Sequence, residues 1–308
     1  MRALVIVNML AGGGDAGIYD YARALGAQGG EVTLRFASVG SRIEPLLHDV
    51  GEYDVVVAAG GDGTVSAVCY ATRGSGVPVL AYPAGTANLL AMNLGLPLDP
   101  VQLARVTTSG VPVAFDVGEL VQTDADGQPA TGFMVMAGAG YDAAIMESAQ
   151  PLKSVFGPAA YLLAAIGNIA PTVSTFDIVV DGVETTTEGI AVLLVNFGKI
   201  QFDLAVAPGW DPRDGQLDVA VVRTRNAAGL LPVVFAAMLD KMGEYPDTTP
   251  GIDIHRGSTV SVSARPALRM QYDGEALEAL TPFTARCLYR QATLLVPADS
   301  PYATEDRT

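Results

Sequence analysis

Residues 53–66 read YDVVVAAGGDGTVS, and this stretch decides the fold. Val55 to Ala59 are all apolar, as in a parallel strand buried on both faces, so a strand is predicted over residues 53–59. Gly60, Gly61 and Gly63 follow at once. Without Cβ atoms they let the backbone turn tightly and approach a ligand closely. A helix predicted over residues 65–72 would then point its first N–H groups, and its dipole, at an anion. Asp62 is the informative residue, because a carboxylate beside a phosphate is repulsive unless a divalent cation lies between them. The string therefore points to a Mg2+–nucleotide site. It also suits an ordinary strand-to-helix turn with Asp62 as a helix cap.

A second loop of the same kind stands downstream. Pro83-Ala84-Gly85-Thr86-Ala87-Asn88 follows a short strand at 78–82 and opens a helix at 88–94. Upstream, strands are predicted at 3–8 and 31–37 and helices at 18–28 and 43–50. Strand–helix alternation predicts a Rossmann-like parallel sheet with helices on both faces, whose ligand crevice lies at the strand ends. The glycine loops supply N–H groups there. No G-x-x-x-x-G-K-[ST] string occurs, and Gly12-Gly13-Gly14 lacks dinucleotide-fingerprint spacing.

Beyond Asp116 the rhythm changes to short β-rich runs at 131–137, 174–180, 189–196, 216–223, 258–263 and 268–272. The turn dipeptides Asp126-Gly127, Asp181-Gly182, Asp214-Gly215 and Asp273-Gly274 punctuate them. That pattern predicts a C-terminal antiparallel β-sandwich, interrupted by helices at 154–168 and 227–241. The expected domains are 1–115, α/β, and 116–308, β-sandwich, with the last residues free to pack back on the first.

The chain carries 33 Asp and Glu against 18 Lys and Arg, a net charge of −15, a surface that repels nucleic acid, so no nucleic-acid partner is expected. Only three lysines occur, Lys153, Lys199 and Lys241, so electrostatic docking on anionic lipid is not expected. Cys69 and Cys287 read as free thiols of a reducing compartment, and His48 and His255 have no metal-ligand spacing. Asn8 and the following glycines interrupt the first apolar run too soon for a secretory core. The uncharged stretches 74–98 and 154–176 are broken by Pro, Gly and polar residues, which favours soluble packing. A cytoplasmic protein is expected.

Gly60–Thr64, Gly85-Thr86-Ala87-Asn88 and Asp273-Gly274-Glu275 together resemble the signature set of the diacylglycerol kinase catalytic superfamily, which holds lipid kinases and is related to NAD kinase. Gly138–Ala143, residues 153–163 and Asp214–Asp218 extend the likeness over about residues 3–296. The resemblance implies an ATP- and Mg2+-dependent transfer to a lipid alcohol, at the cytoplasmic face of a membrane touched only transiently. It implies that Gly60, Gly61, Asp62, Gly63, Thr64, Val65 and Ser66, with Gly85, Thr86 and Asn88, hold ATP. Asn8, Ala11 and Gly12 would close one side of the phosphate pocket. Asp62 would hold Mg2+, Asp116 would join that network, and Glu275 would be the general base. A structural divalent ion would use Asp214 with main-chain oxygens of Asp211 and Gln216.

The sequence departs from the family at three places. Met9 stands where a proline usually follows Asn8, Ser66-Ala67 replace an Asn-Glu pair, and Leu89 replaces an Asp that would join the metal network. With that carboxylate gone, a non-catalytic nucleotide or lipid sensor stays open beside the enzyme, as does an NAD kinase-like activity. A homodimer is neither required nor excluded. An apolar segment at 151–170 is the expected membrane contact.

Overall fold

A computed structural model describes residues 1–9, 11, 17–38, 42–122, 130–140, 172–200, 204–205, 210–223 and 251–304. Gly12, Asp126-Gly127, residues 141–143, 153–163 and 151–170, and the helices expected at 154–168 and 227–241 lie outside the described residues. The chain forms two compact units. One holds Met1–Val117, Gly132–Met134 and Leu288–Thr308, the other Gly118–Thr131 and Val135–Cys287.

The first unit is built on β1 (Arg2–Asn8), β2 (Glu31–Ala37), β3 (Val55–Gly60) and β4 (Val79–Pro83), all parallel, in the order β2-β1-β3-β4. Every residue of β3 is buried, which is why its sequence is continuously apolar. The edge strand β2 alternates instead, with only Ala37 buried. Leu294 of the last strand of the chain pairs in parallel with Val79 and extends the sheet past β4. Because β2 and β3 lie on opposite sides of β1, the chain reverses its order of addition between β1 and β3, the place where open α/β sheets take ligands.

Among the described residues four α-helices accompany this sheet: α1 (Gly17–Ala27), α2 (Asp62–Thr72), α3 (Leu89–Leu94) and α4 (Pro100–Ser109). Helices α1 and α4 pack together, and Tyr21 and Thr107 share a buried hydroxyl hydrogen bond of 2.8 Å. The Tyr21 ring also meets Tyr82 edge-on at 5.5 Å, and burial drives its phenol well above the ordinary tyrosine range. α4 has no counterpart in the sequence-based expectation, although Asp99-Pro100 is a start signal. The Asp99 side chain accepts from Gln102 N at 2.8 Å, and Pro100 fills the first turn, where no N–H is needed. The helix expected at 43–50 is instead two 3-10 turns, Glu44–Leu47 and Val50–Glu52, around Pro45 and Gly51.

The chain enters the second unit along β5 (Val111–Gln122). There follow β6 (Thr131–Phe133), β7 (Met136–Gly140), β8 (Ser174–Val180), β9 (Val183–Gly189), β10 (Ala191–Val195), the short β11 (Lys199–Ile200) and β12 (Leu204–Ala205), and β13 (Leu217–Val222). The last five are β14 (Ile252–Gly257), β15 (Thr259–Arg265), β16 (Arg269–Tyr272), β17 (Glu275–Leu280) and β18 (Phe283–Val296). One antiparallel sheet runs β14-β13-β10-β7-β16-β17, and β15, β8 and β9 continue antiparallel from the first half of β18. An N-terminal α/β domain on a parallel sheet, followed by an antiparallel β-sandwich domain, is the fold class expected from the sequence. Both hairpin dipeptides, Asp181-Gly182 and Asp273-Gly274, have positive φ at each residue, 47° and 86°, then 42° and 83°. These are two-residue turns whose twist suits the flanking strands. Among the described residues no helix is long and apolar enough to cross a membrane.

Candidate active site

The carboxyl ends of β1, β3 and β4 bring the two glycine loops together. Asn8, the last residue of β1, donates from Nδ2 to Thr64 Oγ1 at 2.9 Å and so ties the end of β1 to the first turn of α2. That helix begins at Asp62, three residues before the apolar run that marks it in the sequence. Its N-cap residue, Gly61, has no side chain to cap it. Its first N–H groups and its dipole are therefore available to an anion.

The glycines do different work. A Cβ on Gly60 would lie 2.5 Å from Thr64 Cβ, and one on Gly85 would lie 2.4 Å from Gly61 Cα. At both positions the fold itself requires glycine, and at Gly85 the obstacle is backbone that cannot swing aside. Gly61 is different. A Cβ there would find only Gly85 Cα, at an ordinary 3.7 Å, and its φ of −81° suits any residue. Among the described residues nothing needs that position bare.

The second loop is held by its own amide. Asn88 sits in the left-handed region at φ 51°, which Asn tolerates better than most residues. Its Oδ1 accepts from Gly85 N at 2.8 Å, and its Nδ2 donates to Gly85 O at 2.9 Å. Both functions of the side chain are thus engaged in fixing the loop. Thr86, at the tip, is exposed.

Asp62 is buried, and its carboxylate reaches the second loop. Oδ2 accepts from Leu89 N at 3.0 Å and Oδ1 from Leu90 N at 2.8 Å. It caps α3, a helix 27 residues on, and not the helix it opens. Burial raises its proton affinity above the ordinary carboxylate value, and the amides of Leu90 and Leu89 oppose that only in part. Ser66 is fully buried, with its hydroxyl accepting from Met134 N at 3.1 Å. Val65 is buried as well, while Ala11 is partly exposed. Asp116, on β5, has no exposed surface, and its Oδ1 accepts from Arg290 N at 2.7 Å, where Arg290 takes a φ of 49°. Its visible task is to hold that strained residue of β18.

In the second unit Glu275 opens β17 and is exposed. The turn before it is anchored from beneath. Buried Asp273 accepts at Oδ1 from Val135 N at 2.9 Å and Met136 N at 2.8 Å, and its own N–H donates to Met136 O. Tyr272 Oη lies 3.4 Å from Glu275 Oε2, and its phenol is pushed up to about 12, by burial first and then by the Glu275 charge. The anchoring role of Asp273 goes beyond the sequence-based expectation, although buried Asp in an Asp-Gly turn is a residue type that seeks backbone N–H partners.

Asp211, Asp214 and Gln216 lie on one turn before β13. Asp214 Oδ1 accepts from Gln216 N at 2.9 Å, and Asp211 Oδ1 from Arg213 N at 3.1 Å. Among the described residues no three His, Cys, Asp or Glu side chains are grouped so as to hold a metal ion.

Residues 2–120 match the model of the diacylglycerol kinase catalytic domain, and residues 135–296 match that of the YegS C-terminal NAD kinase beta sandwich-like domain. No curated protein gives a significant match. Two similar solved structures, described as diacylglycerol kinases of Bacillus anthracis str. Sterne, share the fold. One is 19% identical over 97% of this chain and 98% of that one, with a TM-score of 0.73. The other is 20% identical over 98% of both chains, with a TM-score of 0.71. With both units accounted for in order by family models, and the glycine loops at the strand ends as its motifs require, the chain belongs to the diacylglycerol kinase catalytic superfamily.

Proposed function

We propose that this chain transfers the γ-phosphoryl group of ATP to a lipid hydroxyl. The family supports a phosphotransferase. The observation that carries the nucleotide half is the bare Gly61, kept without a Cβ where the described residues leave room for one, at the start of α2. Phosphates seated there would accept from the N–H groups of Gly61, Asp62, Gly63 and Thr64, with Thr86 closing the far side. Asn8 and Asn88 fix the two loops, and Ala11 would border the pocket.

Mg2+ fits the buried carboxylate of Asp62, which retains lone pairs beyond the two amides it accepts. The ion would supply charge neutralisation on the phosphates, the main requirement of phosphoryl transfer. Glu275 would take the proton of the acceptor hydroxyl, with Tyr272 steadying its carboxylate. Asp116 would serve by fixing Arg290. The acceptor would be met by transient apolar contact with a membrane from the cytoplasmic side, since the lysines for an electrostatic face are lacking.

Gly61→Ala separates ligand from fold. The variant should melt as the parent does, while ATP affinity falls about tenfold or more as the methyl group displaces the phosphates. Thermal melting beside calorimetric titration reads both, and unchanged affinity would remove the phosphates from this loop.

The direct test is transfer of γ-labelled phosphate from Mg-ATP to a mixed lipid extract in detergent micelles, with NAD as a parallel acceptor. Label in a lipid supports the proposal. Label in NAD assigns the activity of the NAD kinase relatives, and ATP binding without transfer to either assigns a sensor.

A further inference from the structure

The turn before β13 invites a metal ion by its sequence, Asp-Pro-Arg-Asp-Gly-Gln-Leu-Asp from Asp211 to Asp218, with three carboxylates in eight residues. The structure places a different cation there. Arg256 on β14 is the direct cross-strand partner of Asp218 on β13. Its Nε donates to Asp218 Oδ1 at 2.7 Å, and its guanidinium reaches within 3.7 Å of Asp214 Oδ2. The Asp218 side chain is only 6% exposed, so this charge lies largely out of water and needs a partner.

Three other oxygens of the turn already accept hydrogen bonds. Asp214 Oδ1 caps Gln216 N, Asp211 Oδ1 accepts from both N and Nε of Arg213, and Asp211 O faces Asp214 N at 3.4 Å. A hard divalent ion needs six or more oxygen ligands in a shell. Here it would compete with these contacts for the same oxygens and stand beside a guanidinium on the same carboxylate face. The ligand set therefore does not fit the structural divalent ion that the family resemblance implies.

We infer that Arg256 is the built-in cation of this turn, and that the second unit holds its β13–β14 edge without a divalent metal. The hydrogen bond to Asp218 and the approach to Asp214 hold the guanidinium across the turn. This inference rests on none of the kinase roles proposed above.

The chain's single tryptophan, Trp210, immediately precedes Asp211 and makes the turn observable. Nucleotide-free full-length protein should melt within about 1 °C of the same temperature in chelator, Mg2+ or Ca2+, because an ion that binds only the folded state must raise it. It should give no terbium luminescence on excitation of Trp210. Arg256→Gln should melt about 5 °C lower. It should recover part of that loss with Ca2+, and bind Tb3+ with Trp210-sensitised emission that Asp214→Asn abolishes. Arg256→Lys, which keeps the charge, should stay indifferent to metal and carries the comparison if the glutamine variant does not fold. Tb3+ emission from the parent chain that Asp214→Asn removes, or a parent melting point that chelator lowers, overturns the inference. So does an Arg256→Gln variant that neither loses stability nor gains metal binding.

Discussion

Glu275→Gln should lower phosphoryl transfer by about two to four orders of magnitude, the usual contribution of a general base, and leave ATP affinity within about twofold. The structure makes this substitution clean. Glu275 is exposed at the first position of β17, so glutamine, equal in size, disturbs no packing. The hairpin that presents it is fixed by other atoms, the Asp273 carboxylate on the amides of Val135 and Met136 and the positive φ of Asp273 and Gly274. Melting should therefore be unchanged. Asp273→Ala gives the contrast. It leaves two buried N–H groups without their acceptor, so stability should fall by about 2 kcal/mol or more and any loss of turnover should follow the loss of fold. Turnover by initial rates, binding by calorimetry and folding by thermal melting separate the two cases. A Glu275→Gln enzyme as active as the parent removes this carboxylate from the reaction.

The parts of the fold legible in the sequence were those decided by local pattern. The run at β3 reads as a buried strand because both faces are covered, and the Asp-Gly hairpins read as turns because few other dipeptides supply two positive φ values. Where local pattern and pairing conflict, pairing wins. β17 is Glu-Ala-Leu-Glu-Ala-Leu, good helix formers at nearly helical spacing, yet it is a strand because the turn at Asp273-Gly274 delivers it to β16. α2 starts earlier than its apolar run, since its first turn is Asp-Gly-Thr, residues chosen for the loop and poor in helix propensity.

The candidate site was legible to the same extent. Its glycines announce themselves, but their division of labour does not. That Gly85 meets Gly61 backbone to backbone, that Asn88 closes on Gly85, and that Asp62 caps a helix beginning at Leu89 are facts of tertiary approach. The turn at Asp211–Asp218 is legible only in part for a related reason. The residue that answers its charge, Arg256, lies 38 positions beyond Asp218 on the neighbouring strand.

Asp62→Asn should abolish the metal dependence of ATP binding, weakening Mg-ATP affinity about 10- to 100-fold, without lowering the melting temperature at neutral pH. The second half of that expectation follows from the proton. The folded-state value of Asp62 is raised, because burial outweighs the two backbone hydrogen bonds. A carboxyl shifted in that direction contributes its full stability below the ordinary carboxylate value of about 4 and loses it as pH rises through the folded value. At pH 7 the parent thus carries an ionised group that its surroundings disfavour. The asparagine has no charge to desolvate, and it keeps one oxygen to accept from an amide of α3 while giving up the other. Its melting temperature relative to the parent should be highest at neutral pH and decline on acidification, as the parent carboxyl protonates. A cost to stability at neutral pH that a bound cation would relieve is what a site kept for function looks like. If Asp62 were only a helix cap, the outcome reverses: the variant melts lower at pH 7, and Mg2+ still strengthens ATP binding in whatever remains folded. Melting curves from pH 4 to 8 beside ATP titrations with and without Mg2+ decide between the two.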